Sequence, residues 1–126
     1  MTLAIGEGLL DCYALGSHLA YGNRTRGYQF AVFPGIHAQD LSYTFFVEAQ
    51  STDSLGVPIA VEAAKTMQDW VVDFAMLGPD GPGSAAAQLP VFGEGASVVN
   101  VTGFGFDVVK DPAANSRCRF WLDLTP

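Results

Sequence analysis

Apolar residues recur at helical spacing in two segments of the chain. The first segment, residues 8–21, is interrupted by glycine and predicts a short helix that ends before Gly22. The second, residues 58–77, opens with a proline that suits the first helical position and stops at Gly78-Pro79. A continuous apolar stripe predicts that this second helix packs on the protein core. The stripe consists of Ala60, Ala63, Ala64, Met67, Trp70, Val71 and Phe74.

Three shorter runs have the composition of β-strands. Residues 28–33 are apolar at five of six positions, which predicts a strand covered on both faces, as in an α/β sheet. Pro34-Gly35 stops this run. Residues 97–101 and 106–110 are joined through two glycines and predict a hairpin.

The remaining segments are less regular. Residues 40–47 fit a short helix and an extended segment equally well, while residues 51–56 and 78–90 are expected to be loops. Asp111-Pro112 is typical of an N-cap followed by proline at the first helical position. We therefore expect a last helix from about residue 112 to residue 122.

Composition narrows the classes of function. The chain has 126 residues, the length of a single domain with its own core. Charged residues make up 15%, against about 25% in typical globular domains. Thirteen acidic and six basic residues give a net charge of −7. The chain has no cluster of Lys and Arg, so nucleic acid is not an expected partner. No apolar run approaches the roughly 20 residues of a membrane span.

Cysteines and sequons bear on the compartment. Cys12 and Cys118 lie near opposite ends, and N-x-T sequons occur at Asn23 and Asn100. The cysteines alone would be explained by a pair of buried thiols, and the sequons alone by chance. Taken together, the cysteines and the sequons favour an oxidising, secretory compartment. The opening residues do not form a secretory signal, because they lack a basic leader and an uninterrupted apolar core.

The motifs exclude two kinds of site. Two histidines and two cysteines without H-x-x-x-H or C-x-x-C spacing do not predict a metal centre. The glycine-rich stretches match no phosphate-binding motif, and a glycosidase-type carboxylate pair is neither indicated nor excluded. His18 falls within the first helix and is interpreted as a surface or packing residue. His37 follows a predicted strand, where reactive groups of open α/β sheets lie, although such histidines are often merely solvated.

Four segments resemble the end of a type-B carboxylesterase, most closely the fungal secreted esterase and lipase branch of the superfamily that includes the cholinesterases. They are CYALGSHLAYGN, GYQFAVFPGIHAQDLSYTFF, TMQDWVVDFAMLGPDGPG with the following LPVF, and DPAANSRCRFWLDL. Their order matches the family, and together they cover nearly the whole chain. The resemblance implies an α/β fold in which residues 1–126 form the carboxyl-terminal part of an α/β-hydrolase domain.

The resemblance also implies roles for individual residues. His37 corresponds to the general base of a Ser-His-Glu/Asp triad, and Asp40 to an acidic residue that caps or orients the turn after it. Cys12 and Cys118 correspond to a disulfide pair, whose loop of about 100 residues would add roughly 4 to 5 kcal/mol of stability. The family is secreted and glycosylated. It acts on small-molecule or lipid esters, and it uses neither a metal nor an organic cofactor.

The other parts of such a site do not occur in the sequence. No serine lies in a G-x-S-x-G elbow, and the triad acid and oxyanion glycines would precede this region in the family. We therefore expect a fragment that is inactive alone. A non-catalytic binding protein of the same superfamily and an unrelated small acidic module remain as alternatives. Phe33, Phe45 and Phe46 would line an ester pocket or, as we prefer, pack in the core.

Overall fold

The structure is a computed structural model that describes residues 10–83 and 89–124. Its helices are α1 (Cys12–Tyr21), α2 (Leu41–Thr44), α3 (Val61–Leu77) and α4 (Ser116–Asp123), and its strands are β1 (Tyr28–Phe30), β2 (Ser97–Thr102) and β3 (Gly105–Lys110). Short 3-10 helices follow α1 at Gly22–Arg24 and α3 at Gly78–Gly83. Among the described residues no helix is both long enough and apolar enough to cross a membrane.

The three strands form one mixed sheet in the order β1-β2-β3. β1 runs parallel to β2, with Tyr28 opposite Val99 and Phe30 opposite Val101. β3 returns antiparallel to β2 through the predicted hairpin, with Val101 opposite Phe106. The helices and this small mixed sheet confirm the α/β class.

Each face of the sheet carries its own part of the core, because side chains alternate along β2. Val99 and Val101 pack with Tyr43 of α2 and with Met67 and Trp70 of α3. Val98 points to the other face, where it packs in a second cluster around Cys12, Leu15 and Phe92. The sheet is therefore sandwiched between α2 and α3 on one side and α1 and α4 on the other.

The first strand is shorter and more open than the sequence predicts. β1 ends at Phe30, and the last ladder bond runs from the Ala31 amide to the Val101 carbonyl, at 2.8 Å. Tyr28 and Gln29 are exposed and Phe33 is 82% exposed, so the prediction of a strand covered on both faces is wrong. β1 lies at the edge of the sheet that the described residues form, and within them its strand neighbour is β2 alone.

The predicted start of α3 is also wrong, and so is the first part of the loop that was predicted after it. α3 begins at Val61. Pro58 forms an isolated antiparallel β-bridge with Thr52, and the Ile59 amide donates to the Ser51 carbonyl at 3.1 Å. These pairings keep the stretch before α3 extended. The predicted loop after α3 begins instead as the 3-10 helix Gly78–Gly83, and residues 84–88 of that loop lie outside the described residues.

The last helix is capped by Asn115 rather than Asp111. The Asn115 side chain accepts hydrogen bonds from the amides of Arg117 at 2.8 Å and Cys118 at 3.1 Å. The Asp111 carboxylate instead accepts from the Ala113 amide at 2.8 Å, so it closes a turn before the helix.

A disulfide joins α1 to α4. Cys12 and Cys118 are both buried and their sulfurs are bonded, which confirms the pairing that the resemblance implies. The two helices approach closely beside it, because Gly16 has no side chain where Leu122 packs; a Cβ there would lie 2.8 Å from the Leu122 Cδ2. Trp121 and Leu122 pack against the same cluster, as predicted.

Candidate functional site

His37 lies in the loop that follows the carboxyl end of β1. Because β1 and β2 are parallel, this loop leaves the sheet at the edge where open α/β sheets bind ligands. Gly35 and Ala38 adopt left-handed backbone conformations, with φ of 68° and 66°, and they turn the chain on either side of His37. The His37 side chain is exposed, and none of the residues that the structure describes forms a hydrogen bond with its imidazole.

A buried glutamine fixes the shape of this loop. Gln39 is only 1% exposed. Its Oε1 accepts from the amides of Gly35 at 3.0 Å and Ile36 at 3.3 Å, while its Nε2 donates to the Phe33 carbonyl at 3.1 Å. A second Nε2 bond, at 2.7 Å, goes to Asp53 Oδ2. These four bonds use the whole hydrogen-bonding capacity of the amide, so the backbone around His37 is tied to a single internal anchor.

Asp53 completes this anchor from a neighbouring loop. It is 6% exposed, and its Oδ1 accepts from the amides of Leu55 at 2.8 Å and Val57 at 2.9 Å. Burial alone would raise the pKa of the carboxyl group. The hydrogen bonds from Gln39, Val57 and Leu55 outweigh burial and hold the pKa below its ordinary value. The carboxylate therefore stays ionised and serves as a fixed acceptor.

Gln39 and Asp53 were not predicted from the sequence. A glutamine in a loop and an aspartate in a polar turn carry no periodic signal, and their contact spans 14 positions of the chain. Only the Asp53-Ser-Leu-Gly turn pattern hinted that a side-chain carboxylate would bond the following amides.

Asp40 does not cap the helix that follows His37. Its side chain makes no capping bond to α2. The carboxylate accepts a hydrogen bond from the Tyr28 hydroxyl at 2.7 Å and thereby ties β1 to the start of α2. Burial, then this bond, raises the pKa of the tyrosine. That Asp40 caps or orients the turn after His37 stays a prediction.

Three phenylalanines near the loop differ in their surroundings. Phe46 is buried in the core, as predicted. Phe33 and Phe45 are 82% and 72% exposed, so the prediction of core packing is wrong for both. They leave apolar surface on the loop that carries His37 and directly after α2.

The two sequons lie in different settings. Asn23 is in the 3-10 helix after α1. Asn100 is in the central strand β2, where its Oδ1 is buried and has no hydrogen-bond partner among the described residues. Glycosylation of either residue stays a prediction.

His18 is the packing residue that the sequence suggests. Its ring stacks on Phe92, with centroids 4.2 Å apart and planes 8° from parallel. The Nδ1 atom is buried and makes no hydrogen bond within the described part of the chain. Burial lowers the pKa of the imidazole, and the carboxylate of Asp111 opposes this only in part.

This depressed pKa predicts acid sensitivity in the window that begins at the ordinary value of 6.5 and extends down to the lowered pKa of the folded state. In the unfolded chain His18 takes up a proton near its ordinary pKa of 6.5. In the folded chain burial opposes this protonation, so stability is lost as the pH falls. We expect the urea midpoint to fall over this window in the wild type and to fall less in His18→Gln. Gln29→Ala, which replaces an exposed residue without a titratable group, is the control and should keep the wild-type slope. Equal slopes in all three proteins would contradict the prediction.

Comparisons of the chain with protein-family models, with curated proteins and with solved structures found no significant match. The likeness to type-B carboxylesterases therefore rests on the sequence segments quoted above.

Proposed function

We propose that this chain is the histidine-bearing part of a secreted serine carboxylic-ester hydrolase, with residues 1–126 belonging to the carboxyl-terminal part of an α/β-hydrolase domain. The observation that carries the proposal is the setting of His37. An exposed imidazole without hydrogen-bond partners among the described residues lies on an internally anchored loop at the carboxyl edge of two parallel strands. A general base needs a fixed position and two free nitrogens, and this setting offers both.

In the proposed reaction one nitrogen of His37 takes the proton from a serine hydroxyl as the serine attacks the ester carbonyl. The same nitrogen then returns the proton to the leaving alcohol, and water releases the acyl-serine by the reverse sequence. The other nitrogen donates to a carboxylate that fixes the tautomer. The serine and this carboxylate come from outside the 126 residues, because no serine here lies in a G-x-S-x-G elbow.

Two further features support an assembly of this kind. Phe33 and Phe45 expose large apolar side chains, which fit burial against further parts of a hydrolase domain or against an ester's acyl group. The disulfide between Cys12 and Cys118 is the kind of bond that persists in oxidising compartments, which agrees with secretion.

Complementation tests the proposal. The 126-residue chain would be co-expressed with a type-B carboxylesterase truncated before its own histidine loop, and hydrolysis of a nitrophenyl ester measured. We expect activity with the wild-type chain and a loss of about a hundredfold or more with His37→Gln. The chain alone should show none.

The control for complementation is Gln29→Ala, which changes an exposed residue of β1 outside the loop and should leave the restored activity unchanged. Failure to complement, or restored activity that is indifferent to His37, contradicts the proposal. So does ester hydrolysis by the chain alone that His37→Gln abolishes.

A further inference from the structure

A cavity of about 710 Å³ lies between α1, the turn after it, the start of β1 and α3. This volume is within the range of about 300 to 1,000 Å³ that small-molecule sites occupy. His37 is not among the residues that line it. Arg26 and Tyr28, at the amino end of β1, line the cavity, whereas His37 follows the carboxyl end of that strand. It is thus a different site from the one proposed for ester hydrolysis.

One wall of the cavity is apolar and belongs to α3. Met67, Trp70, Val71 and Phe74 follow one another at helical spacing and all line it. Met67 and Trp70 are buried, whereas Val71 and Phe74 are exposed. The apolar stripe of α3 therefore extends beyond what the sheet covers, and its uncovered end faces the cavity. An apolar or aromatic group placed there would bury this surface.

Two of the lining residues carry a positive charge. Arg24 and Arg26 line the cavity and none of the described aspartates or glutamates does, although the chain has 13 acidic and only 6 basic residues. No carboxylate within the described residues forms an ion pair with either arginine. Arg26 donates from Nε to the Pro79 carbonyl at 2.5 Å and from Nη1 to the Leu89 carbonyl, so its guanidinium is held in place while its charge is not neutralised by an acid.

We propose that this cavity binds an amphipathic carboxylate, with its acyl chain or aromatic ring on the Trp70 and Phe74 wall and its carboxylate at Arg24 and Arg26. Guanidinium groups form short, charge-assisted hydrogen bonds with carboxylates. A cationic ligand is disfavoured by the two arginines, and a neutral ligand leaves their charge unused. Ser17, Thr25 and Tyr28 also line the cavity. Their hydroxyl groups already donate to the Tyr13 carbonyl, the Gly22 carbonyl and the Asp40 carboxylate, so the arginines are the donors that we assign to the ligand. This inference does not depend on the esterase proposal.

Decanoate is a suitable probe, because it combines a ten-carbon apolar chain with one carboxylate. Isothermal titration of the 126-residue chain would compare it with decanol and decylamine, which carry the same chain on a neutral and a cationic head group. We expect saturable one-to-one binding of decanoate, with decanol at least about tenfold weaker and decylamine weaker still. Decanoate should also change the fluorescence of Trp70.

Variants separate the charge from the apolar wall. Arg24 is exposed and its replacement leaves the bonds of Arg26 intact, so Arg24→Gln should fold normally. This variant should bind decanoate about tenfold more weakly than the wild type and should bind decanol with unchanged affinity. Phe74→Ala should weaken the binding of both decanoate and decanol. Arg119→Gln, on the exposed face of α4 and away from the cavity, is the charge-matched control and should bind like the wild type.

Three results would each overturn the proposal: no saturable binding of decanoate, equal affinity for decanoate and decanol, or Arg24→Gln and Arg119→Gln with the same affinity. The complementation experiment measures ester hydrolysis and does not measure binding in this cavity. Either proposal can therefore fail without the other.

Discussion

Replacing both Cys12 and Cys118 with alanine is expected to lower the free energy of unfolding by about 4 kcal/mol. The two cysteines are 106 positions apart, so the disulfide closes nearly the whole chain into one loop. In the chain-entropy description, a loop of about 100 residues removes about 4.7 kcal/mol of conformational freedom from the unfolded state. Domains are stable by only about 5 to 15 kcal/mol, so this one bond accounts for a large share of the total.

The packing around the disulfide gives a second reason for a large effect. Seven buried residues form the cluster between the sheet and the pair α1 and α4, and two of them are the cysteines themselves. The remaining members include two alanines, which bury little apolar surface. This face of the sheet therefore depends on the covalent bond more than the opposite face, which Trp70, Met67 and Tyr43 fill.

Urea unfolding followed by circular dichroism, with and without dithiothreitol, measures the effect. The wild type should unfold at a lower urea concentration when it is reduced. Cys12→Ala/Cys118→Ala should unfold at a low urea concentration in both conditions, because it has no disulfide for the reductant to break. Gly22→Ala would be a poor control because of its positive φ of 56°; Ser17→Ala, at an exposed position on α1, is suitable. A reduced wild type with the midpoint of the oxidised protein would contradict the prediction.

Local signals in the sequence predicted elements better than their ends. The glycine-interrupted first helix, the long apolar stripe and the hairpin all correspond to α1, α3 and the pair β2 and β3. The starts of α3 and α4 were misplaced, because proline and aspartate satisfy turn geometry as well as they satisfy a helix start. Asn115 and Asp111 are both good capping residues, and only the path of the chain decides between them.

Burial was harder to predict than secondary structure. Phe33 and Phe45 have the composition of core residues yet are exposed, while the polar Gln39 and Asp53 are buried together. Hydrophobicity ranks residues by their average tendency to be buried. A buried amide and carboxylate are nevertheless stable where each forms hydrogen bonds with all the groups that it can bond. Those partners are backbone groups of two loops, and the sequence does not show that the loops meet. His37 was predicted from the sequence, but the network that positions it was not.

Asp53→Ala is expected to lower the free energy of unfolding by about 3 kcal/mol, because it leaves the buried Gln39 amide and two backbone amides without an acceptor. Asp53→Asn should cost less. Its Oδ1 can still accept from Leu55 and Val57, but its amide faces the Gln39 Nε2, and two donors then oppose each other. Gln39 cannot flip to relieve this, since its Oε1 already accepts from Gly35 and Ile36.

Asp69→Ala is the matched control for this series, since Asp69 lies on the exposed side of α3, and it should change stability by less than about 0.5 kcal/mol. Urea denaturation gives the three values. An Asp53→Ala protein as stable as Asp69→Ala would contradict the proposed anchor. An Asp53→Asn protein as stable as the wild type would contradict the assigned orientation of Gln39, because that orientation opposes two donors.

The pH dependence of the same proteins tests the ionised state of Asp53. Its folded pKa lies below the ordinary value of 3.8, so the stability it contributes is present above that pH and is lost as the pH falls through the folded pKa. Asp53→Asn removes this component, and the stability difference between it and the wild type should therefore shrink in acid.

Hydrogen exchange then connects the anchor to the proposed catalytic loop. In Asp53→Ala the amides of Gly35 and Ile36, which Gln39 protects in the wild type, should exchange faster than the global loss of stability requires. In the complementation assay the same variant should lose activity although His37 is unchanged, because a base that is no longer held in position transfers protons less efficiently. Exchange and activity that follow global stability alone would reduce Asp53 to a purely structural residue.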